Sequence, residues 1–267
     1  MPKITQEEFQ EISKNSLVQT LDLMGKDLGR SGKTVKTEER KLYFAGYYLT
    51  ILEYIHAIKD CINTNNLIAV TPIFRSCLEA FLDLINLEKY DKYYILLDAS
   101  HLQQQIRKIN NLSEDKDNPY SRFLDGIENI DKRLNSIGKK KSQALDKTKE
   151  LRQDLDNPYS VSSKFKLAEA ENEYGGIYSI ISDECHNNLI SIERRHFNFD
   201  SGIFNLEIFS SDNYQKLIPQ IHTSICIAQT STKLRYEFLM GESFKLNADF
   251  EELKEMFLDK VQESETT

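Results

Sequence analysis

The chain has 267 residues, long enough to bury a substantial core without staples and to form one large domain or two modest ones. Lys and Arg number 34 against 42 Asp and Glu, a net charge of -8. That balance argues against bulk electrostatic attraction to nucleic acid or anionic membrane, though a local basic patch could still do either. Only 10 Gly and 5 Pro punctuate the chain, too few for the turns of an all-β protein, so helices are expected.

Cys61, Cys77, Cys185 and Cys226 form no CxxC, and each sits in an apolar, helix-like context. They read as small buried hydrophobes in a reducing compartment. The first ten residues, MPKITQEEFQ, are acidic and polar and lack an apolar signal core. No run approaches ~18 uninterrupted apolar residues, so no membrane span is expected and a cytoplasmic protein follows.

In chain order, residues 5–28 read as a first helix, with Glu7 and Glu8 in its first turn. Gly25 and Gly29 break it. The GRSGKT turn ends in Gly-Lys-Thr, but a phosphate loop would need glycine where Asp27 stands, and no apolar strand precedes it. A second helix to about Asn63 is apolar around most of its circumference, which predicts a central position. Tyr43, Tyr47 and Tyr54 lie along it as core aromatics with hydroxyls at the edge, and His56 reads as a satisfied core histidine.

The third helix, residues 66–90, is the most apolar stretch, and Pro72 marks its start or a kink. Arg75 and Glu79 lie one turn apart in its middle, and Asp83 continues the row. A fourth helix covers about 91–111. Asp-Asn-Pro-Tyr-Ser occurs at 117–121 and again at 156–160, read as two helix starts with Asn as cap and Pro at the first helical position. Between them, residues 121–155 are charged and thinly apolar around Lys139, Lys140 and Lys141. This predicts a protruding charged helical arm, solvated or binding a partner.

After a short helix interrupted at Gly175 and Gly176, Tyr178, Ile181, Ser182, Cys185 and His186 fall on one face at 3- and 4-residue steps. Alternation over 195–209 around Asp200-Ser201-Gly202 predicts a small β-hairpin. A long helix over 213–240, kinked at Pro219, and a last acidic helix over 249–261 complete an all-α bundle, taken as a single helical domain.

The five histidines show no HExxH, no cluster of metal-ligand spacing and no GxSxG elbow, and the chain has no Gly-rich dinucleotide fingerprint, so neither metal nor cofactor is expected. What remains is Arg75 and Glu79 on one helix and Ser182 and His186 on another. Charges in buried helices need partners, so these residues form either an internal polar network or a small polar pocket. Ser76 and Tyr178 are candidate members.

Arg75, Ser76 and Glu79, followed about a hundred residues later by Ser182 and His186, resemble a widespread bacterial family of helical proteins of unknown function. That family carries Arg-Ser-x-x-Glu on one helix and Ser-x-x-x-His on another. The resemblance covers roughly positions 40 to 210 and implies a helical bundle, with no activity. More distantly, the bundle resembles the HEPN superfamily of bacterial toxins and antiviral systems, whose members cleave RNA without metal through Arg, four to six residues, then His. None of the histidines here has an Arg at that distance upstream.

Two functions are therefore carried forward. One is a non-catalytic binding protein of a bacterial stress or antiphage defence setting, with a protein partner or homo-oligomer. The other is a metal-independent ribonuclease using His186 with Arg75 and Glu79, for which RNA would be the partner.

Overall fold

The computed structural model describes residues 4–25, 38–114, 129–185, 197–198, 205–206 and 211–266. They form an all-α bundle. In chain order its helices are α1 (Gln6–Gly25), α2 (Glu39–Asn63), α3 (Val70–Lys89), α4 (Tyr93–Glu114), α5 (Ile130–Lys147), α6 (Val161–Leu167), α7 (Ser179–Cys185), α8 (Ile218–Leu234) and α9 (Asn247–Thr266). A one-turn helix Glu171–Glu173 and a π-helix Tyr174–Tyr178 lead into α7. No helix among the described residues is long and apolar enough to cross a membrane.

Local chemistry sets the helix ends. Thr5 and Glu8 form a reciprocal cap on α1: the Glu8 amide donates to the Thr5 hydroxyl at 3.2 Å, and the Thr5 amide donates to the Glu8 carboxylate at 2.8 Å. The Thr5 amide and hydroxyl hold the Glu8 carboxyl below the usual range. Asn65 takes a left-handed conformation (φ 57) after α2, and the Asn66 amide returns to the Cys61 carbonyl at 2.8 Å. Arg40 at the start of α2 donates to the Leu87 and Glu88 carbonyls at the end of α3, so α2 and α3 run antiparallel.

The core joins faces of α1, α2, α3, α4, α8 and α9. On α2, Phe44, Tyr48, Ile51, Ile55, Ile58 and Ile62 recur at 3–4 residue steps and are at most 1% exposed. Helix α3 packs along α2 and also meets α8, whose Ile221, Ile225 and Ala228 are fully buried. Helix α9 closes the bundle over α1 and α8 through Phe250, Leu253 and Phe257. Helix α5 packs on α4, where Lys141 donates to Gln103 while Lys139 and Lys140 are exposed.

Several expectations are corrected. Pro219 lies in the first turn of α8, following a 3-10 helix Ser211–Leu217, so it starts a helix instead of kinking one. At 156–160 the cap is Ser160, whose hydroxyl accepts from the Ser163 amide at 3.2 Å. Asn157 makes a turn instead, accepting from the Tyr159 amide at 3.1 Å. The first copy of that motif, at 117–121, lies outside the described residues. His56 is exposed and bonds Asp60 at 3.1 Å, because the described residues leave its side of α2 uncovered. Cys77 is fully buried, whereas Cys61, Cys185 and Cys226 are half-buried, and no disulfide joins the four.

Of the hairpin expected over 195–209, two residue pairs are described. Phe197–Asn198 (β1) and Asn205–Leu206 (β2) pair antiparallel, with Phe197 opposite Leu206. The remainder, including the turn, lies outside the described residues.

Phe257→Ala is expected to lower unfolding free energy by about 3–5 kcal/mol, read from the urea midpoint, because it empties the contact by which α9 grips the bundle.

Candidate functional site: a polar ridge on helix α3

Arg75, Glu79, Asp83 and Asn86 stand at steps of four, four and three, so they line one side of α3. The other side is apolar and buried in the core, with Val70, Phe74, Cys77 and Leu84 all fully covered. Charged groups this close to a core must find partners, and two sets supply them.

The first partner is Tyr178, at the end of the π-helix. Its phenol accepts from Arg75 Nε at 3.2 Å and Nη2 at 3.0 Å, and donates to Glu79 Oε1 at 2.8 Å. Arg75 Nε also reaches Glu79 Oε1 directly, at 3.2 Å. The guanidinium carbon sits 5.3 Å from the Tyr178 ring centroid, close enough for cation–π attraction. Tyr178 is buried, 5% exposed, while the Arg75 and Glu79 side chains are 22% and 30% exposed. The ring also meets Phe165 edge-on at 5.2 Å and Tyr174 stacked at 5.5 Å.

Burial, then the hydrogen bond to Glu79, pushes the Tyr178 phenol up to about 12. Burial disfavours the charged guanidinium of Arg75, but Tyr178 and Glu79 outweigh it and raise its pKa. At neutral pH the group is therefore a protonated phenol beside a permanently charged guanidinium. A phenol held in that state orients and donates; it is not a general base at neutral pH.

The second partner set surrounds Asp83, which is 3% exposed. Its Oδ1 accepts from the Tyr93 hydroxyl at 2.7 Å, and its Oδ2 pairs with Lys164 Nζ at 2.7 Å. Burial, then the nearby Asp83 charge, raises both the Tyr93 and Tyr47 phenols well above their ordinary range. Asn86 is fully buried and donates to the Lys164 carbonyl at 3.0 Å. Tyr90 and Lys89 donate to the Leu167 carbonyl at 2.9 and 3.4 Å. The Lys164 carbonyl, which also accepts from the Ala168 amide at 3.0 Å, and the Leu167 carbonyl at the end of α6 are thus tied to the C-terminal end of α3.

The structure brings Arg75, Glu79 and Tyr178 together across a separation of about a hundred residues. Ser76 does not join them: it donates to the Pro72 carbonyl of its own helix at 3.1 Å. Ser182, one turn beyond Tyr178 on α7, is half-buried and makes no hydrogen bond with the trio. His186 lies outside the described residues. Sequence reasoning noted Asp83 as a continuation of the ridge but did not find Lys164, Tyr93 or Tyr47 as its partners. The available signal was an aspartate flanked by Leu82 and Leu84, a context in which an unpaired carboxylate is too costly. Among the described residues no three His, Cys, Asp or Glu side chains are grouped as a metal site would need.

A polar ridge on a helical bundle is the class the fold defines. Residues 41–204 match a family of unknown function (DUF5677), and the chain belongs to that family. The matched stretch contains both partner sets, and α1, α8 and α9 lie outside it. No curated protein and no solved structure matches the chain.

Asp83→Asn is expected to cost about 2–3 kcal/mol by denaturant titration, since it removes the charge opposite a partly exposed Lys164. Tyr178 generates a pH signature as well. Its folded pKa is above the ordinary 10, so its contribution is complete below pH 10 and is lost as pH rises toward 12. Between those values the stability of the native chain should fall more steeply than that of Tyr178→Phe. Parallel slopes would contradict the assignment.

Proposed function

We propose that the chain is a non-catalytic binding protein, serving a bacterial stress or antiphage response, in which the α3 ridge fixes residues 174–185 as part of a recognition surface. The observation that carries this reading is the mutual engagement of the trio. Glu79 Oε1 and the Tyr178 phenol are each hydrogen-bonded to Arg75 and to one another, so groups that would do chemistry are occupied in holding two segments together. Tyr174 and Ile180, 40% and 59% exposed on the same segment, offer apolar contacts to a partner.

A metal-independent ribonuclease is the second reading. It is favoured by the convergence of Arg75 on the helix whose sequence leads directly to His186. In that reading His186 would act as acid or base and Glu79 would orient Arg75.

One experiment separates them. The purified native chain and His186→Ala are incubated with RNAs of varied sequence and structure, with and without a chelator. The expected outcome is no cleavage by either. Chelator-resistant cleavage by the native chain that His186→Ala loses would replace the binding reading with the ribonuclease. A chain that remains monomeric and retains nothing from its native cell would count against the binding reading.

A further inference from the structure

Helix α2 carries two seams on opposite sides. The inner seam, from Phe44 to Ile62, is buried in the core. The outer seam recurs with the same alternating steps of three and four residues: Leu42, Gly46 and Leu49 form its apolar half, and Glu53, His56 and Asp60 its polar half. All six are exposed, Leu42 by 47% and Leu49 by 46%. Steps of three and four are the a and d positions of a heptad, the spacing by which one helix meets another along a seam. The inner seam is covered by the core, and among the described residues nothing covers Leu42 and Leu49 on the outer one.

We infer that the outer seam of α2 packs antiparallel against the same seam of a second copy of this chain. The occupant follows from self-complementarity. In an antiparallel pair each a position faces a d position, so Gly46 of one chain faces Leu49 of the other, twice over. A Cβ built on Gly46 would meet nothing within 4 Å, so the space above it is open to receive a leucine. The same register sets Leu42 against the aliphatic stem of Glu53 and Glu39 against His56. On the flank it brings Glu38, the N-cap residue of α2 that also pairs with Lys41, near Lys59, which also pairs with Asp60, an attractive contact made twice. A parallel pair would instead set Glu39 on Glu39, Glu53 on Glu53 and Asp60 on Asp60, and like charges across a seam are destabilising. Opposition of unlike groups therefore selects the antiparallel twofold pair, an isologous contact.

The seam is short and half polar, which places the dimer in the weak, concentration-dependent class. It lies on α2, apart from the α3 ridge, and its failure would leave the reading of the ridge untouched.

The test is sedimentation velocity on the full chain over a concentration series, with circular dichroism to confirm that each variant keeps its helix content. The native chain is expected to shift from monomer to dimer as concentration rises. Leu49→Lys, at an exposed position, should remain monomeric with unchanged helix content. Glu53→Leu, which replaces the carboxylate facing Leu42 with an apolar group, should tighten the dimer about tenfold. Glu38→Lys should weaken association, and adding Lys59→Glu to it should restore it. A native chain that is monomeric at every concentration would overturn the proposal, as would a dimer whose affinity Leu49→Lys leaves unchanged.

Discussion

A charge placed on a buried helix must be matched, and in this protein that requirement decides how α6 and the π-helix are attached to the bundle. Helix α3 is the helix the bundle is packed around, with α2 on one side and α8 on another. Its remaining side carries Arg75, Glu79, Asp83 and Asn86, which the core cannot accommodate. Among the described residues, α4, α6 and the π-helix before α7 supply hydrogen-bonding groups to that side. Tyr93, Lys164 and Tyr178 are those groups. The ridge thus acts as a template on which short elements are ordered.

Those elements have little to hold them otherwise. Helix α6 has seven residues, below the length at which a helix sustains itself in water, and the segment leading into α7 is interrupted at Gly176. Two kinds of contact fix them. One is apolar: Phe165 and Leu167 on α6, and Tyr178 with Ile181 on the later segment, are buried. The other is polar: Asn86 on α3 and Tyr90 just after it donate to the carbonyls of Lys164 and Leu167. Ion pairs of this sort contribute specificity more than net stability, because desolvation offsets much of the attraction. The ridge accordingly sets where α6 and the π-helix sit, while the rings of Phe165, Tyr174 and Tyr178 supply adhesion.

Much of this was legible in the residues. The all-α architecture follows from sparse Gly and Pro and from the apolar periodicities. The oddity of Arg75 and Glu79 in the most apolar helix was visible, and Tyr178 was named as a member of their network. What escaped was long-range pairing. Nothing near Asp83 in sequence announces Lys164, 81 residues away, as its counter-ion. Pro219 and Asn157 were misread for a local reason: each suits more than one helix-start geometry, and the neighbouring residues chose. His56 was misread because a helix apolar on most of its circumference was taken as covered on all sides. Among the described residues its outer face is open, and that difference is what points to a second molecule. The face predicted to carry Ser182 and His186 is described as far as Cys185, and there Tyr178 and Ile181, not Ser182, are the buried residues.

The central claim is that Glu79 and Tyr178 act as one unit in joining α3 to the segment that follows α6. A double-mutant cycle measures that directly: the unfolding free energies of the native chain, Glu79→Gln, Tyr178→Phe and the double variant at neutral pH. Coupling of about 1 kcal/mol, with the double variant losing clearly less than the sum of the singles, is the result expected of a shared hydrogen bond beside a charge. Effects that add to within about 0.3–0.5 kcal/mol would mean the two residues stabilise the protein independently, and would contradict the account.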